Sequence, residues 1–251
     1  MWTAVSSYRF GIVRSVLRSQ GIANDGQGHY WYSSTQGLLR TNSKNGFASH
    51  MHLLPIPHPL TELKDNHIGD IDYANGKIFA PIEDGPNYKN PFVGVYDAKT
   101  LEIENFYSLP QPWQKDGVPW VAVDSKNGKV FSSEYLNVTK INVYDLLTFK
   151  ALGQIPLSIK MESIQGAKIL DGMIYMTAND NTGSGFAIYK GDLSTGVVTK
   201  IALSPNNLVE VEGLTLSRSK DGLVIDALGV VPYIKKVHLT RRMVLFTFRK
   251  N

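Results

Sequence analysis

The chain has 251 residues, a net charge of +4, 43% hydrophobic and 19% charged residues, and no cysteine. This balance supports a packed core rather than disorder. The missing cysteine excludes disulfides, thiolate nucleophiles and cysteine-ligated zinc, and no run approaches the roughly eighteen apolar residues that would span a membrane as a helix.

The first residues carry Arg9, Arg14 and Arg18 without a continuous apolar stretch. They do not read as a signal peptide, so a soluble chain is expected, either cytoplasmic or exported with its signal peptide removed. Within residues 1–19, the stretch 8–17 reads as a short basic helix or as a strand that pairs with an open edge and closes the fold.

From residue 20 a repeat takes over. Asn75-Gly76-Lys77-Ile78-Phe79 returns as Asn127-Gly128-Lys129-Val130-Phe131, then loosely as Asp171-Gly172-Met173-Ile174-Tyr175 and Asp221-Gly222-Leu223-Val224-Ile225. Val95-Tyr96-Asp97 with Thr100 returns as Val143-Tyr144-Asp145 with Thr148, and as Tyr189 with Asp192 and Thr195-Gly196. Aligning Gly21, Asp70, Trp120, Gly166 and Gly213 gives five units spaced by 49, 50, 46 and 47 residues. A period of this length marks a repeat architecture, because one unit cannot bury its apolar face alone.

Each unit reads as four short strands. In the second, 68–73 and 77–82 flank the Asn75-Gly76 turn, and 92–96 and 101–107 flank Lys99-Thr100; an Asn-Gly or Asp-Gly between such runs is a hairpin signal. The predicted fold is an all-β propeller of five four-stranded blades around a central channel. Its blades cover about 20–55, 67–107, 118–155, 164–203 and 211–249, all in one domain. Residues 55–66, rich in proline, are the longest connection and are placed across one face. His50 and His52 are assigned to a loop. The late basic cluster of Lys235, Lys236, Arg241, Arg242, Arg249 and Lys250 reads as charge on an edge strand that blocks pairing with other chains.

In such a fold the starts of the innermost strands and the ends of the second strands meet at one mouth of the channel. The starts supply Gln20, His67 with Asp70, Trp120, Gln165 and Glu212; the ends supply Ser33 and Ser34, Glu83 with Asp84, Glu134, Asn179 with Asp180, and Asp226. Oxygen ligands around an axis suit Ca²⁺ or another divalent cation, and Glu83, Glu134, Asn179 and Glu212 are the predicted ligands. His67, with Asp70 beside it, is the predicted general base. Trp113 and Trp120, with Gln20 and Gln165, are the predicted substrate contacts.

The run Ser19-Gln20-Gly21-Ile22, followed by Trp31-Tyr32-Ser33-Ser34 and Gly37-Leu38-Leu39-Arg40, resembles plant-type glutaminyl cyclases, as does Val211-Glu212-Gly213-Leu214-Thr215-Leu216. The five-unit pattern resembles their superfamily, with the senescence-marker/gluconolactonase proteins and the paraoxonases. Glu83-Asp84 and Asn179-Asp180 are similar to the dipeptides with which paraoxonases bind Ca²⁺. Here, however, Glu83-Asp84 follows a second strand, whereas the family's pair opens a first one. The resemblance implies a metal-assisted hydrolase or lactonase acting on a small ester or lactone. The alternatives are a non-catalytic propeller that binds a protein or small ligand, and a cyclase-like acyl transferase. A monomer is expected, with a small molecule in the channel and no nucleic-acid partner.

Overall fold

The computed structural model describes residues 1–180, 185–203, 210–234 and 237–250, with the side chains of Asp180 and of residues 232–241 left aside. The described chain is dominated by antiparallel strands arranged in four sheets. Strand β1 (Trp2–Arg9) and the short helix α1 (Ile12–Val16) come first. Strands β2 (Gly21–Asn24), β3 (Tyr30–Ser34), β4 (Gly37–Thr41) and β5 (Ala48–His52) form one sheet in sequence order. Helix α2 (His58–Glu62) then leads to β6 (His67–Ile68), β7 (Asp72–Ala74), β8 (Lys77–Asp84), β9 (Lys89–Asp97) and β10 (Ile103–Ser108), which form the second sheet. The third joins seven strands: β11 (Ala122–Asp124), β12 (Lys129–Ser132), β13 (Val138–Asp145), β14 (Ala151–Leu170), β15 (Met173–Asp180), β16 (Gly185–Asp192) and β17 (Val198–Leu203). The fourth holds β18 (Glu210–Ser219), β19 (Gly222–Ile234) and β20 (Val237–Lys250), with β1 along the outer side of β20.

The recurring phrases have a local physical cause. Asn75 (φ 50°) and Gly76 (φ 79°), like Asp171 (φ 51°) and Gly172 (φ 74°), adopt the positive φ that a tight hairpin turn requires. In the second phrase, Asp97 Oδ1 accepts the N–H groups of Lys99 and Thr100 at 2.9 and 2.8 Å. Asp145 Oδ1 does the same for Leu147 and Thr148, and Asp192 Oδ1 for Ser194. Each aspartate closes its turn by satisfying backbone donors, while Tyr96, Tyr144 and Tyr189 point into the core.

Several sequence expectations change. Residues 1–19 contain both predicted elements, since β1 pairs with β20 and α1 packs beside it. Only part of the basic cluster leaves the edge: β20 is paired on both sides over Val244–Lys250, which takes in Arg249 and Lys250, and Arg249 pairs with Asp221 at 2.9 Å, whereas Arg241 and Arg242 lie beyond the reach of β1 and pair with β19 alone; Lys235 and Lys236 lie outside the described residues. His50 and His52 belong to β5, where their rings reach the carbonyls of Thr100 and Leu101 at 2.8 and 3.0 Å and fasten the first sheet to the second. The connection over 55–66 contains α2. The third and fourth units share one strand: residues 157–163 hold no Gly, Pro or Asn to stop β14, which bends instead at Ser163 (φ 50°) and a register shift.

Five apolar clusters separate successive units. Trp31 and Leu38 pack on Ile71, Ile78 and Tyr96 between the first two; Phe79 and Val93 meet Val121 and Tyr144 between the next two. Phe131 and Ile141 meet Ile164 and Met176 across the bend of β14. Tyr175 and Ile188 meet Leu214 and Phe246 beyond it. The fifth cluster returns to the start, packing Leu228 and Leu245 against Phe10, Ile22, Tyr32 and Leu39. Contacts between inner strands run in the same cyclic order, from β2 to β7, β11, β14, β18 and back to β2.

At the centre of this ring lies Asp70, which is fully buried. Its Oδ1 accepts the Ile22 N–H at 3.0 Å. Its Oδ2 accepts the Ala167 N–H at 3.2 Å and the Lys168 ammonium at 2.7 Å. The backbone of Asp70 also bridges to Trp120. A Cβ on Gly213 would lie 2.2 Å from Asp70 Oδ1, and one on Gly166 would lie 2.8 Å from Oδ2, so glycine is required at both close approaches. Burial raises the Asp70 carboxyl, while Lys168 and the backbone donors pull it down. Removing one member of a buried pair strands the other. Lys168→Met is therefore expected to lower unfolding stability in urea by about 3 kcal/mol, with part recovered in the Asp70→Asn/Lys168→Met double variant. A loss below about 1 kcal/mol would show that the pair is not holding the centre.

Candidate functional site

The inner strands begin on one side of this centre, and there a cavity of about 470 Å³ opens. Gln20 and His67 reach it from the starts of β2 and β6, Glu212 from near the start of β18, Gln165 from β14 just past its bend, and Glu83 from the end of β8. It adjoins a cavity of about 700 Å³ beside α1, which shares Gln20, Thr35 and Glu212. A separate groove of about 610 Å³ is lined by Asp171, Gly172, Asp192 and Ser194. Asp124, Phe131 and Val143 also line that groove, which has no histidine among its described residues.

His67 is the best-organised group in the cavity. Its Nδ1 lies 3.1 Å from Glu83 Oε1 and its Nε2 lies 3.0 Å from Gln20 Oε1. Glu83 is almost wholly buried, and its second oxygen accepts the Val118 N–H. That leaves the carboxylate fixed in place and aimed at the imidazole. Asn66 clamps the same corner: its N–H donates to the Glu83 carbonyl at 3.0 Å, and its Oδ1 accepts the Gly85 N–H at 3.2 Å. On the opposite wall Gln165 Nε2 donates to Glu210 Oε1 at 2.8 Å.

The predicted site residues divide. Gln20, His67, Glu83, Gln165 and Glu212 line the cavity. Asp70 does not orient His67; its oxygens are taken by Lys168, Ile22 and Ala167 at the ring centre, and Glu83 is the carboxylate on the imidazole. Trp120 is buried in the core with its indole N–H on Ser133 Oγ at 3.1 Å. Trp113 packs against Tyr144 with ring centroids 6.0 Å apart. Trp113 is half-buried and Trp120 fully buried because the loop from Pro110 to Pro119 folds back over the second and third units.

The aromatic wall is formed by Tyr88 and Tyr135, stacked at 6.1 Å with their planes 25° apart. Burial raises the Tyr135 phenol, and the charges of Glu210 and Glu212 add to that, so it stays protonated at neutral pH. Sequence reasoning missed Tyr88, Tyr135 and Glu210. Their signal was a shared place in the repeat, since Tyr88 and Tyr135 each follow the end of a second strand by a few residues.

Glu134 is half-buried outside the cavity lining and accepts the Lys115 N–H at 3.2 Å. Asn179 is half-buried in β15, its Oδ1 without a hydrogen-bond partner. Among the described residues no three His, Asp or Glu side chains come close enough together to hold a metal ion. Of the four predicted ligands, Glu83 and Glu212 line the cavity and Glu134 and Asn179 do not.

Comparison with solved structures shows a shared fold at very low identity. A gluconolactonase from Xanthomonas campestris is similar with a TM-score of 0.56 and 12% identity, over 90% of this chain and 71% of that one. Hydrazine synthase from Kuenenia stuttgartiensis is similar with a TM-score of 0.50 and 9% identity, over 89% of this chain. The matched part is 61% of that longer chain. No family model matches the sequence, and no curated protein matches it. The likeness supports a β-rich fold. No described helix is long and apolar enough to cross a membrane.

Gly117 stands behind Glu83 at φ 85°, and a Cβ there would lie 2.2 Å from Glu83 Oε2. Gly117→Ala is expected to push the carboxylate off His67. The NMR signal of the hydrogen-bonded His67 Nδ1 proton should then disappear, as it should in Glu83→Gln, with backbone resonances of the other units unchanged. A signal that persists in both variants would show that Glu83 does not hold the imidazole.

Proposed function

We propose that the chain is a single five-bladed β-propeller, with blades at about 20–55, 67–107, 118–155, 164–203 and 211–249 and β1 completing the last. We further propose that it is a hydrolase or lactonase opening a small ester or lactone at the mouth. The cyclic order of the inner strands and the five inter-unit clusters support the propeller. The observation that carries the activity is His67 held against the buried Glu83 in the wall of a cavity sized for a small molecule.

With Nδ1–H donated to Glu83, Nε2 of a neutral His67 is the basic nitrogen. It now faces Gln20 Oε1 at 3.0 Å, so substrate or water must displace the Gln20 side chain or turn its amide. His67 then takes a proton from water as the water attacks the carbonyl carbon, and Glu83 stabilises the imidazolium that forms. The Tyr88 and Tyr135 phenols stand in the same cavity as donors for the developing oxyanion. Collapse of the tetrahedral intermediate breaks the acyl C–O bond, and His67 returns the proton to the departing alkoxide.

A panel of simple lactones and aryl esters tests this reading. His67→Gln is expected to lower kcat about 10²- to 10⁴-fold with the fold intact. Turnover unaffected by the substitution, or none above background on any substrate, would overturn it. The latter result would favour a ligand-binding propeller without chemistry, for which the engagement of both imidazole nitrogens is the specific observation.

The divalent cation at the mouth is a separate proposal, and no step above passes through it. A cation bound there should appear in elemental analysis and raise Tm by several degrees over EDTA-treated protein. Glu212→Gln should abolish that shift. Metal-free protein with the same Tm in EDTA and Ca²⁺ would remove the proposal.

A further inference from the structure

Helix α1 is pinned along one side only. Ser15 Oγ accepts the Met243 N–H of β20 at 3.0 Å, and Arg14 and Arg18 donate to the Gly46 carbonyl at 2.9 and 3.0 Å. Ile12 and Val16, four residues apart and so on one face of the helix, are left 47% and 64% exposed. Leu53, just beyond the end of β5, is 58% exposed. These three apolar side chains line the cavity of about 700 Å³ beside α1, together with the buried Val230 and Met243 and the half-buried Leu17. A concave wall of large apolar side chains left in water marks a site for an apolar ligand or partner.

What this cavity adjoins indicates its occupant. It shares Gln20, Thr35 and Glu212 with the mouth cavity, so the two spaces meet at those three residues. The backbone there is fixed. The Gln20 N–H donates to the Ser33 carbonyl at 3.1 Å, the Gln20 carbonyl accepts the Gly213 N–H at 2.8 Å, and the Thr35 carbonyl accepts the Ile68 N–H at 2.9 Å. The Gln20 side chain, by contrast, has one polar contact among the described residues, its Oε1 on His67 Nε2 at 3.0 Å. Swinging that side chain aside breaks a single contact, bares the basic nitrogen and joins the two cavities in the same movement.

We propose, resting on the hydrolase reading above, that the cavity beside α1 receives the aliphatic acyl chain of a substrate whose carbonyl reacts at His67, and that Gln20 is the positioning residue between the two. The substrate class is then an ester or lactone with a medium-length apolar chain. That chain would cover Ile12, Val16 and Leu53, and each methylene taken out of water there favours the longer substrate by about threefold. A short acyl group leaves the wall wet and gains nothing from it. Gln20 couples binding to chemistry, since the chain that displaces its side chain also frees Nε2 to take a proton.

The test is turnover of p-nitrophenyl acetate, butyrate, hexanoate and octanoate by the full chain, with binding of the uncharged fluorophore N-phenyl-1-naphthylamine measured in parallel. In wild-type protein kcat/KM is expected to rise about threefold per methylene, and the fluorophore to brighten on binding and be displaced by 1-octanol. Val16→Asp and Leu53→Asp, both at exposed positions, should each flatten the series and release the fluorophore, with acetate turnover unchanged. Gln20→Ala should lower KM for the octanoate and leave its kcat unchanged, a split that a merely structural role would not produce. A flat series in active wild-type protein overturns the proposal, as does a slope that survives both aspartate variants. Val16→Asp that abolishes binding to phosphatidylcholine vesicles and leaves the slope intact would make this face a lipid-docking surface instead. Failure to turn over any ester, the acetate included, overturns the hydrolase reading and this proposal with it, whereas turnover without a slope overturns this proposal alone.

Discussion

The carboxylate of Asp70 sits where the inner strands of the chain converge, and it ties two of them, β2 and β14, together directly. It receives an N–H from β2, another from β14 and the Lys168 ammonium, while its own backbone bridges to Trp120. The strand ends around a shared axis cannot all pair with one another, so their donors need an acceptor. One buried carboxylate supplies it, and a lysine from another unit supplies the counter-charge that makes the burial tolerable. The approach is close enough that Gly166 and Gly213 have no room for a Cβ. The axis is therefore filled at this level, and the space for a ligand is displaced to one mouth.

That displacement decides which side chains meet in the cavity. Strand starts carry polar side chains into the mouth because their backbone is no longer covered by neighbouring apolar clusters. His67, two residues from the short inner segment around Asp70, is held by Glu83 from the returning strand of the same unit. The pairing of β6 with β8 places His67 opposite Glu83 in register. An imidazole and its carboxylate are therefore positioned by a strand ladder rather than by a mobile loop. The aromatic wall opposite comes from turns, with Tyr88 and Tyr135 stacked from successive units. A polar floor from strands and an aromatic rim from turns belong to the same cavity.

The two parts of the molecule differ in how legible they were. Turn chemistry is local, so Asn75-Gly76 and the Asp97-Thr100 phrase could be read from a few consecutive residues, and the geometry of their repeats follows. The strand starts that line the mouth, from Gln20 to Glu212, could be located from the repeat alone once the units were aligned. The direction of a loop is not local. Trp113 and Trp120 looked like a ligand wall by composition, yet the loop folds back and buries one and half-buries the other in core contacts. The run of β14 through two units was hidden because nothing in 157–163 distinguishes a bent strand from two strands joined by a short link.

The amino-acid sequence by itself determined the unit length, the hairpin turns and the apolar faces that must pack on neighbouring units, because each depends on residues within one or two turns of each other. Only the tertiary structure decided which carboxylate serves which partner. Asp70 and Glu83 are thirteen residues apart, and either was a reasonable companion for His67. Folding sent one to the axis against Lys168 and the other to the imidazole. The difference is physical: a charge's partner is set by distances across separate units of the chain, and those distances exist only once the units have packed on one another.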